Sequence, residues 1–388
     1  MSKNLYAMHD PGNWEDMVRA AGREAWCVHT EAIGCDPGDM SGKNFARPNI
    51  TPVVRLNNGY GSTGTIPLPE RYADFAKRCA NFAAASVGCK HWIIGNEIAL
   101  IWERPDGQPI TLENYCRCFT LCRDAIRRVQ PEAIVIPQPP APWNVEVKYP
   151  GNEAGDWVDQ LRDMLRMIGA GNLDAIALHT YSHGHDPALI ASEQTMDPPF
   201  NHRRYHFRAY RDFMDAIPTE LRHLDVLITE SNPDGWQDIN NGWIQAAYAE
   251  IDQWNKAGNQ QIVCLAFYRW PNEDREQFWI GSKGGVVADF QAALAHDYHH
   301  YENLAPAMVA NATKLRALDI LNLRATPGTV NKDQWDVIGA LKAGEVAALL
   351  GPHTDKDGIQ WSQIRTDDGK VGWVATVLSD QSHTAEVF

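Results

Sequence analysis

The sequence predicts an α/β chain: a (β/α)8 TIM barrel followed by a small all-β barrel. Three observations predict it. Eight short apolar runs occur in order, amphipathic stretches of helical spacing separate them, and a breaker-rich segment near residue 325 opens into a tail of different texture.

The apolar runs fall at residues 5–8, 26–29, 52–56, 91–94, 133–137, 175–178, 226–229 and 262–267. They are rich in β-branched residues and continuously apolar, as strands buried on both faces of a helix-covered parallel sheet must be. Between them, apolar residues recur at helical spacing over 14–21, 72–85, 112–129, 157–168, 205–217 and 243–254, and a last helix is expected over 305–318. Only the second strand lacks a helix after it. Strand and helix alternating in this way is the pattern of a TIM barrel. A doubly wound open sheet gives the same alternation, because periodicity does not report closure.

The segment Arg324-Ala-Thr-Pro-Gly328 marks the expected boundary between a barrel domain, 1–323, and a module, 328–388. Short strands are expected at 346–350, 361–365 and 371–374, with Asp367-Asp368-Gly369 as the hairpin turn between the last two. Three stretches of this tail, Val337-Ile-Gly-Ala-Leu-Lys-Ala-Gly344, Trp361-Ser-Gln-Ile-Arg365 and Gly369-Lys-Val-Gly-Trp-Val374, resemble a bacterial Src-homology-3-like (SH3-like) module. The Val-Arg pair usual in that family is absent after Asn331. The resemblance implies binding to cell-envelope material or to the barrel itself.

Composition bounds the function. The chain has 388 residues, 44% hydrophobic and 22% charged, the balance of a soluble globular protein. A net charge of −14 without a basic run disfavours nucleic acid, and to a lesser degree a strongly anionic polysaccharide. No apolar stretch is long enough to span a membrane, and the opening residues lack the apolar core of a secretory signal. A signal trimmed earlier would leave the same picture, so the compartment stays open; the SH3-like resemblance favours a bacterial secreted or cell-envelope setting. None of the eight cysteines forms a CxxC pair, and Cys116, Cys118 and Cys122, on one helical stretch, read as buried thiols. Neither a metal nor a cofactor is expected.

In a TIM barrel the chemistry gathers where strands end. The fourth strand ends in Ile94-Gly-Asn-Glu97 and the seventh in Leu227-Ile-Thr-Glu230. Carboxylates at the same end of these two strands can face each other across the barrel mouth. Acid-assisted displacement at an anomeric carbon requires that arrangement, one carboxyl protonating the leaving oxygen and the other attacking. Each glutamate alone has a plainer reading as a helix cap or an arginine partner.

This Asn-Glu and this second Glu resemble glycoside hydrolase clan A, and the resemblance covers the whole barrel. It implies a retaining glycosidase acting on a β-linked glycan or oligosaccharide by double displacement. Glu97 would be the acid/base, Asn96 the ligand of the sugar 2-hydroxyl, and Glu230 the nucleophile. Strand six ends Leu178-His-Thr-Tyr181, similar to a His-x-Tyr found beside the nucleophile in that clan; strand eight ends Phe267-Tyr-Arg-Trp270, where a Trp commonly floors the central sugar subsite. The resemblance therefore gives Tyr181 to Glu230, His179 to a substrate hydroxyl and Trp270 to the sugar ring. Many clan members carry an Arg at the end of strand two; here the nearest is Arg55 on strand three, the candidate partner of Glu230.

Long loops at 138–155, 182–202 and 271–285 carry Trp143 and Trp279, and the short loop after strand seven carries Trp236. Such rings offer flat faces to pyranosides, while Trp14, Trp157 and Trp254 fall at helix-packing positions. Two other functions compete. A metal-dependent hydrolase is suggested by His9, His29 and His183-Gly-His185, but strand one supplies a single histidine and the last two lie in a loop. A non-catalytic glycan-binding barrel, or a hydrolase of amino-sugar cell-wall glycan, is compatible with the attached module. Sugar and linkage depend on loop shapes that the sequence does not display.

Overall fold

The structure, a computed structural model, describes residues 2–270, 276–301, 314–329, 336–350, 354–367, 369–378, 382 and 384–387. The chain divides into two units, Met1–Glu302 and Asn303–Phe388.

In the first unit β1 (Tyr6–His9), β2 (Ala25–Ala32), β3 (Ile50–Asn57), β4 (His91–Ile94), β5 (Ile134–Pro137), β6 (Ile176–His179), β7 (Val226–Glu230) and β8 (Ile262–Phe267) occupy the eight expected runs. All pair parallel, in the order β5-β4-β3-β2-β1-β8-β7-β6. The end strands β5 and β6 lie side by side and close the sheet into a TIM barrel. At that seam the Asp174 carboxylate accepts the Val135 N–H at 2.9 Å.

Helices α1 (Trp14–Ala20), α2 (Tyr72–Ala85), α3 (Leu112–Val129), α4 (Trp157–Ile168), α5 (Ala209–Ala216) and α6 (Trp243–Lys256) follow the expected periodic stretches. Their starts are chemically marked where the sequence allows: the Asp156 carboxylate accepts the Val158 N–H at 2.8 Å to open α4.

Side chains alternate along each strand between two apolar layers. Ala7, Trp26, Val28, Val53, Ile93 and Ala266 fill the barrel interior. Their neighbours Met8, Cys27, Val54, Trp92 and Phe267 pack outward with the helices. Burial on both sides is why the strands read as unbroken apolar runs.

The carboxyl end of the barrel departs from the sequence reading. The helix after β8 is α7 (Gly284–Leu294), inside what reads as loop and beyond it. Its opening Gly284-Gly285 and the β-branched Val286-Val287 are poor helix formers, which hides it. The expected helix over 305–318 is absent at its described end. Residues 302–313 lie outside the described residues, as do 271–275 of the eighth loop and Asn331. From Lys314 the chain is strand β9 (Lys314–Ala317), followed by β10 (Leu321–Arg324), and the two show alternating exposure and burial.

These strands belong to the second unit, so its division from the first lies at Glu302/Asn303 and not at the expected 323/328. The Pro-Gly segment instead follows β10 within that unit. The remaining strands are β11 (Val337–Leu341), β12 (Val346–Leu349), β13 (Thr354–Lys356), β14 (Ile359–Arg365), β15 (Val371–Val377) and β16 (Ala385–Val387). They form an antiparallel sheet in the order β11-β10-β15-β14-β12-β9-β16, with β13 on β14. Leu315, Leu323, Leu341, Ile364 and Val374 are its core. Among the described residues no helix is long and apolar enough to cross a membrane.

Candidate active site

The barrel's interior phase carries through to the ends of the strands. Continuing in step with Ala7, Val28, Val53 and Ala266 brings His9, Thr30, Arg55, Asn57 and Tyr268 to a cleft of about 840 Å³. Glu97, Glu230, Asn96, Tyr181 and Trp143 line the same cleft.

Glu97 reaches it through a tight turn. After β4 the backbone passes through Gly95, at φ +75°, and Glu97 itself holds φ +34°, in the left-handed region that costs a non-glycine residue roughly 1–3 kcal/mol. A Cβ on Gly95 would stand 3.2 Å from Ile66 Cγ2. The turn is fixed by the Gly95 N–H on Leu56 O at 3.0 Å and the Glu97 N–H on Pro139 O at 3.2 Å. Between them the Asn96 N–H donates to Thr65 Oγ1 at 2.7 Å.

Glu230 reaches the cleft by a different device. Leu227 faces the interior, so simple alternation would send residue 230 toward the helices. A register shift between Leu178 and His179 pairs His179 with Glu230 and leaves Thr229 as an extra residue. Such a bulge re-aims side chains at a strand end. The Glu230 carboxylate, in a residue 8% exposed, accepts from Arg55 Nη1 at 2.7 Å and from the Tyr181 hydroxyl at 3.2 Å. Burial pushes its pKa up, but the neighbouring His179, Arg55 and His9 and the arginine hydrogen bond outweigh burial and hold it below the ordinary carboxylate range.

His179 lies between the two glutamates and has no exposed surface. Arg55 Nη2 stands 3.3 Å from its Nε2, and a guanidinium only donates, so in the neutral ring Nε2 accepts. That leaves Nδ1–H to donate to Glu97 Oε1 at 2.7 Å. A protonated ring would add a positive charge between the carboxylates. His179 therefore holds the acidic pair, and the expectation that it touches a substrate hydroxyl is corrected: it does not line the cleft.

Two tryptophans are also placed elsewhere. Trp270, 2% exposed, stacks over Gly12, where a Cβ would collide with its indole, and its Nε1 donates to Asn13 Oδ1 at 3.1 Å. Its backbone N–H is tied to His9 O at 2.9 Å, so the chain has already turned away from the cleft. Tyr268, in phase with Ala266, takes the lining position expected of Trp270. Trp236 is buried against Trp243 and Phe267, and its Nε1 donates to Tyr268 O at 2.6 Å, which supports the Tyr268 backbone from behind. Trp143 does line the cleft: its Nε1 donates to Arg204 O at 3.0 Å and its ring lies 4.4 Å from His183, which stacks on Tyr205.

Sequence reading missed Tyr60, Trp102 and Glu103. Tyr60 and Trp102 line the cleft yet are 60% and 61% exposed, on adjacent turns after β3 and β4. Large aromatic residues in strand-end loops were the available signal. Among the described residues no group of His, Cys, Asp and Glu is disposed to hold a metal ion. His29 packs edge-on against Phe45 and His183 stacks on Tyr205, so neither forms a cluster with His9. The eight cysteines are free thiols.

No protein-family model matches the chain and no curated protein matches it. Among solved structures it is similar to a family 39 glycoside hydrolase from Bacteroides cellulosilyticus, at 13% identity and TM-score 0.46 over 94% of this chain and 71% of that one. A glucosidase from Croceicoccus marinus gives 11% and 0.47 over 97% and 75%. A family 26 β-mannanase from Bacteroides ovatus gives 11% and 0.48 over 76% and 88%. Likeness at this level says nothing of chemistry, which rests on the site's own residues.

Proposed function

We propose that the chain is a retaining glycoside hydrolase of the clan A kind, cleaving a β-linked glycan by double displacement. One observation carries the reading: carboxylates from the ends of β4 and β7 share one cleft but meet opposite surroundings. Glu230 is bound by a guanidinium and a tyrosine hydroxyl, which favour the ionised form a nucleophile needs. Glu97 is bound instead by the His179 imidazole, at the end of the opposite strand pair, where it can give a proton to the glycosidic oxygen.

In the first step Glu97 gives its proton to the glycosidic oxygen while Glu230 attacks the anomeric carbon. The bond to the leaving group breaks and a glycosyl ester on Glu230 forms. In the second, water attacks that carbon, Glu97 takes the water's proton, and Glu230 leaves as carboxylate. Arg55 stays hydrogen-bonded to Glu230 and stabilises it as leaving group. Tyr60, Trp102 and Trp143 line the cleft and offer ring faces to pyranose C–H groups, which supports a glycan as substrate. The second unit, with its SH3-like sequence, is read as a targeting module for cell-envelope material.

A panel of aryl β-glycosides and β-glycans, with Glu230→Gln as the blank, tests the reading. Release of aglycone by the wild type alone is expected. Glycan binding by both proteins with hydrolysis by neither would make this a glycan-binding barrel, and solubilisation of cell walls alone would move the substrate to an amino-sugar glycan.

A further inference from the structure

The order of strands round the barrel divides the mouth at the two glutamates. From β4 to β7 the shorter way passes β5 and β6, and the longer way passes β3, β2, β1 and β8. The longer arc presents polar groups to the cleft, among them His9, Thr30, Arg55 and Asn57. Past Tyr181, whose hydroxyl is committed to Glu230, the shorter arc presents Trp143 from the loop after β5 and His183 from the loop after β6. Two consecutive carbonyls fix both rings: Arg204 O accepts from Trp143 Nε1 at 3.0 Å, and Tyr205 O stands 2.7 Å from His183 Nδ1. A carbonyl only accepts, so Nδ1 carries the proton, and in the neutral ring Nε2 is left as an acceptor. The His183 backbone N–H donates to His206 Nδ1 at 3.2 Å, and its ring stacks on Tyr205 at 3.9 Å and 7°. Among the described residues nothing bonds to Nε2. Trp143 itself sits at φ +62°, a left-handed conformation that a bulky residue rarely adopts and that the surrounding structure must enforce. This wall is fixed before any ligand arrives, and it carries one ring face and one unused acceptor.

We propose that Trp143 and His183 form a sugar subsite on the leaving-group side of the scissile bond, with Trp143 against the pyranose ring and His183 Nε2 accepting one of its hydroxyls. The chain then cuts between two sugars and does not merely trim a sugar from a non-sugar partner. This deepens the hydrolase reading and rests on it only for which side leaves. The sugar that becomes an ester on Glu230 must be held through several hydroxyls, and the polar groups of the longer arc match that need. A leaving sugar must be placed and then released, for which a flat apolar face and a single directional hydrogen bond suffice. A lone acceptor also selects: a hydroxyl donates to it, and a leaving group without a donor leaves it unpaired.

The test compares wild type, His183→Phe and Trp143→Ala on one glycone in two forms, a β-linked disaccharide and a β-glycosyl fluoride. Fluoride leaves as a single atom and reaches neither residue. The ratio of kcat/KM on the disaccharide to kcat/KM on the fluoride should therefore fall about 3–10-fold in each variant, the worth of one neutral hydrogen bond or one aromatic contact. Phenylalanine keeps a ring to stack on Tyr205 and removes the acceptor, and a purely structural defect would lower both substrates alike. An unchanged ratio in either variant overturns the proposal. If the wild type hydrolyses neither form, the hydrolase reading fails separately, and calorimetry with cellotetraose and mannotetraose decides the subsite. Binding that both substitutions weaken supports it; binding that either leaves unchanged, or no binding, overturns it.

Discussion

Arg55 and Glu230 form an ion pair at 2.7 Å across the barrel mouth, between β3 and β7, and the same guanidinium reaches His179 Nε2 at 3.3 Å. Arg55 is itself buried; burial lowers its pKa, but Glu230 more than restores it. One cation thereby sets the charge of the proposed nucleophile and the ring that contacts the proposed acid.

Arg55→Met should therefore cost stability as well as rate. Removing one partner of a buried pair leaves an uncompensated charge, typically about 3–5 kcal/mol. The sign with pH follows from Glu230, whose folded pKa lies below the ordinary 4.5. Its ionisation stabilises the wild type above that ordinary value, and the contribution is lost as pH falls through the lower folded value. The gap in urea stability between wild type and Arg55→Met should be widest at neutral pH and close in acid. A gap that stays constant down through the carboxylate range would show that the pair is not its cause.

The two glutamates should separate under azide. In Glu97→Ala an activated aryl glycoside, needing little protonation, should still form the glycosyl ester, and azide should speed its breakdown to a β-glycosyl azide. Glu230→Ala has no nucleophile, so azide must attack the opposite face and give the α-glycosyl azide. Exchange of these products would exchange the roles, and NMR of the anomeric proton reads the outcome directly.

What the sequence showed and what it hid divide along physical lines. The eight strands were legible because burial on both faces leaves an unbroken apolar run, and Glu97 and Glu230 because polar residues end those runs abruptly. Side-chain phase was not legible. Trp270 falls at the right place in the string, but Ala266 sets a phase that puts Tyr268 in the cleft, while Gly12 makes room for the Trp270 ring behind it. Glu230 is in phase only because of the β7 bulge, which no pattern of apolar residues announces. Residues 314–318 read as the end of a helix because the period-two alternation there spans a strand of only four residues. Tyr60, Trp102 and Glu103 sit in loops, where neither periodicity nor strand ends direct attention.

The exposed rings of Tyr60 and Trp102 should matter only to a long substrate. Large aromatic faces that stay 60% and 61% exposed at the edge of a polar cleft are costly without a ligand to cover them. Trp102→Ala should raise KM for an oligosaccharide of several sugars by about 3–10-fold, the worth of one aromatic contact, while an aryl monoglycoside changes less than about twofold. An equal loss on both substrates would place Trp102 in the structural frame of the β4 loop and not in a distal subsite.

The placement of β9 and β10 changes how the second unit should be removed. In the sheet β9 lies between β12 and β16, and β10 between β11 and β15. Cutting after Arg324 therefore strands both without their partners and uncovers Leu315, Leu321 and Leu323 from the second unit's core. Unpaired strand edges beside an apolar face template association, so this truncation should aggregate. Cutting after Glu302 removes the whole second sheet and should leave a monodisperse barrel that hydrolyses a small aryl β-glycoside at close to the full rate, because every catalytic and cleft-lining residue named here precedes that point. Size-exclusion chromatography and the small-substrate rate of the two truncations decide the matter. A soluble 1–302 barrel without activity would mean that the second unit completes the site, and equal solubility of both truncations would remove β9 and β10 from its cooperative core.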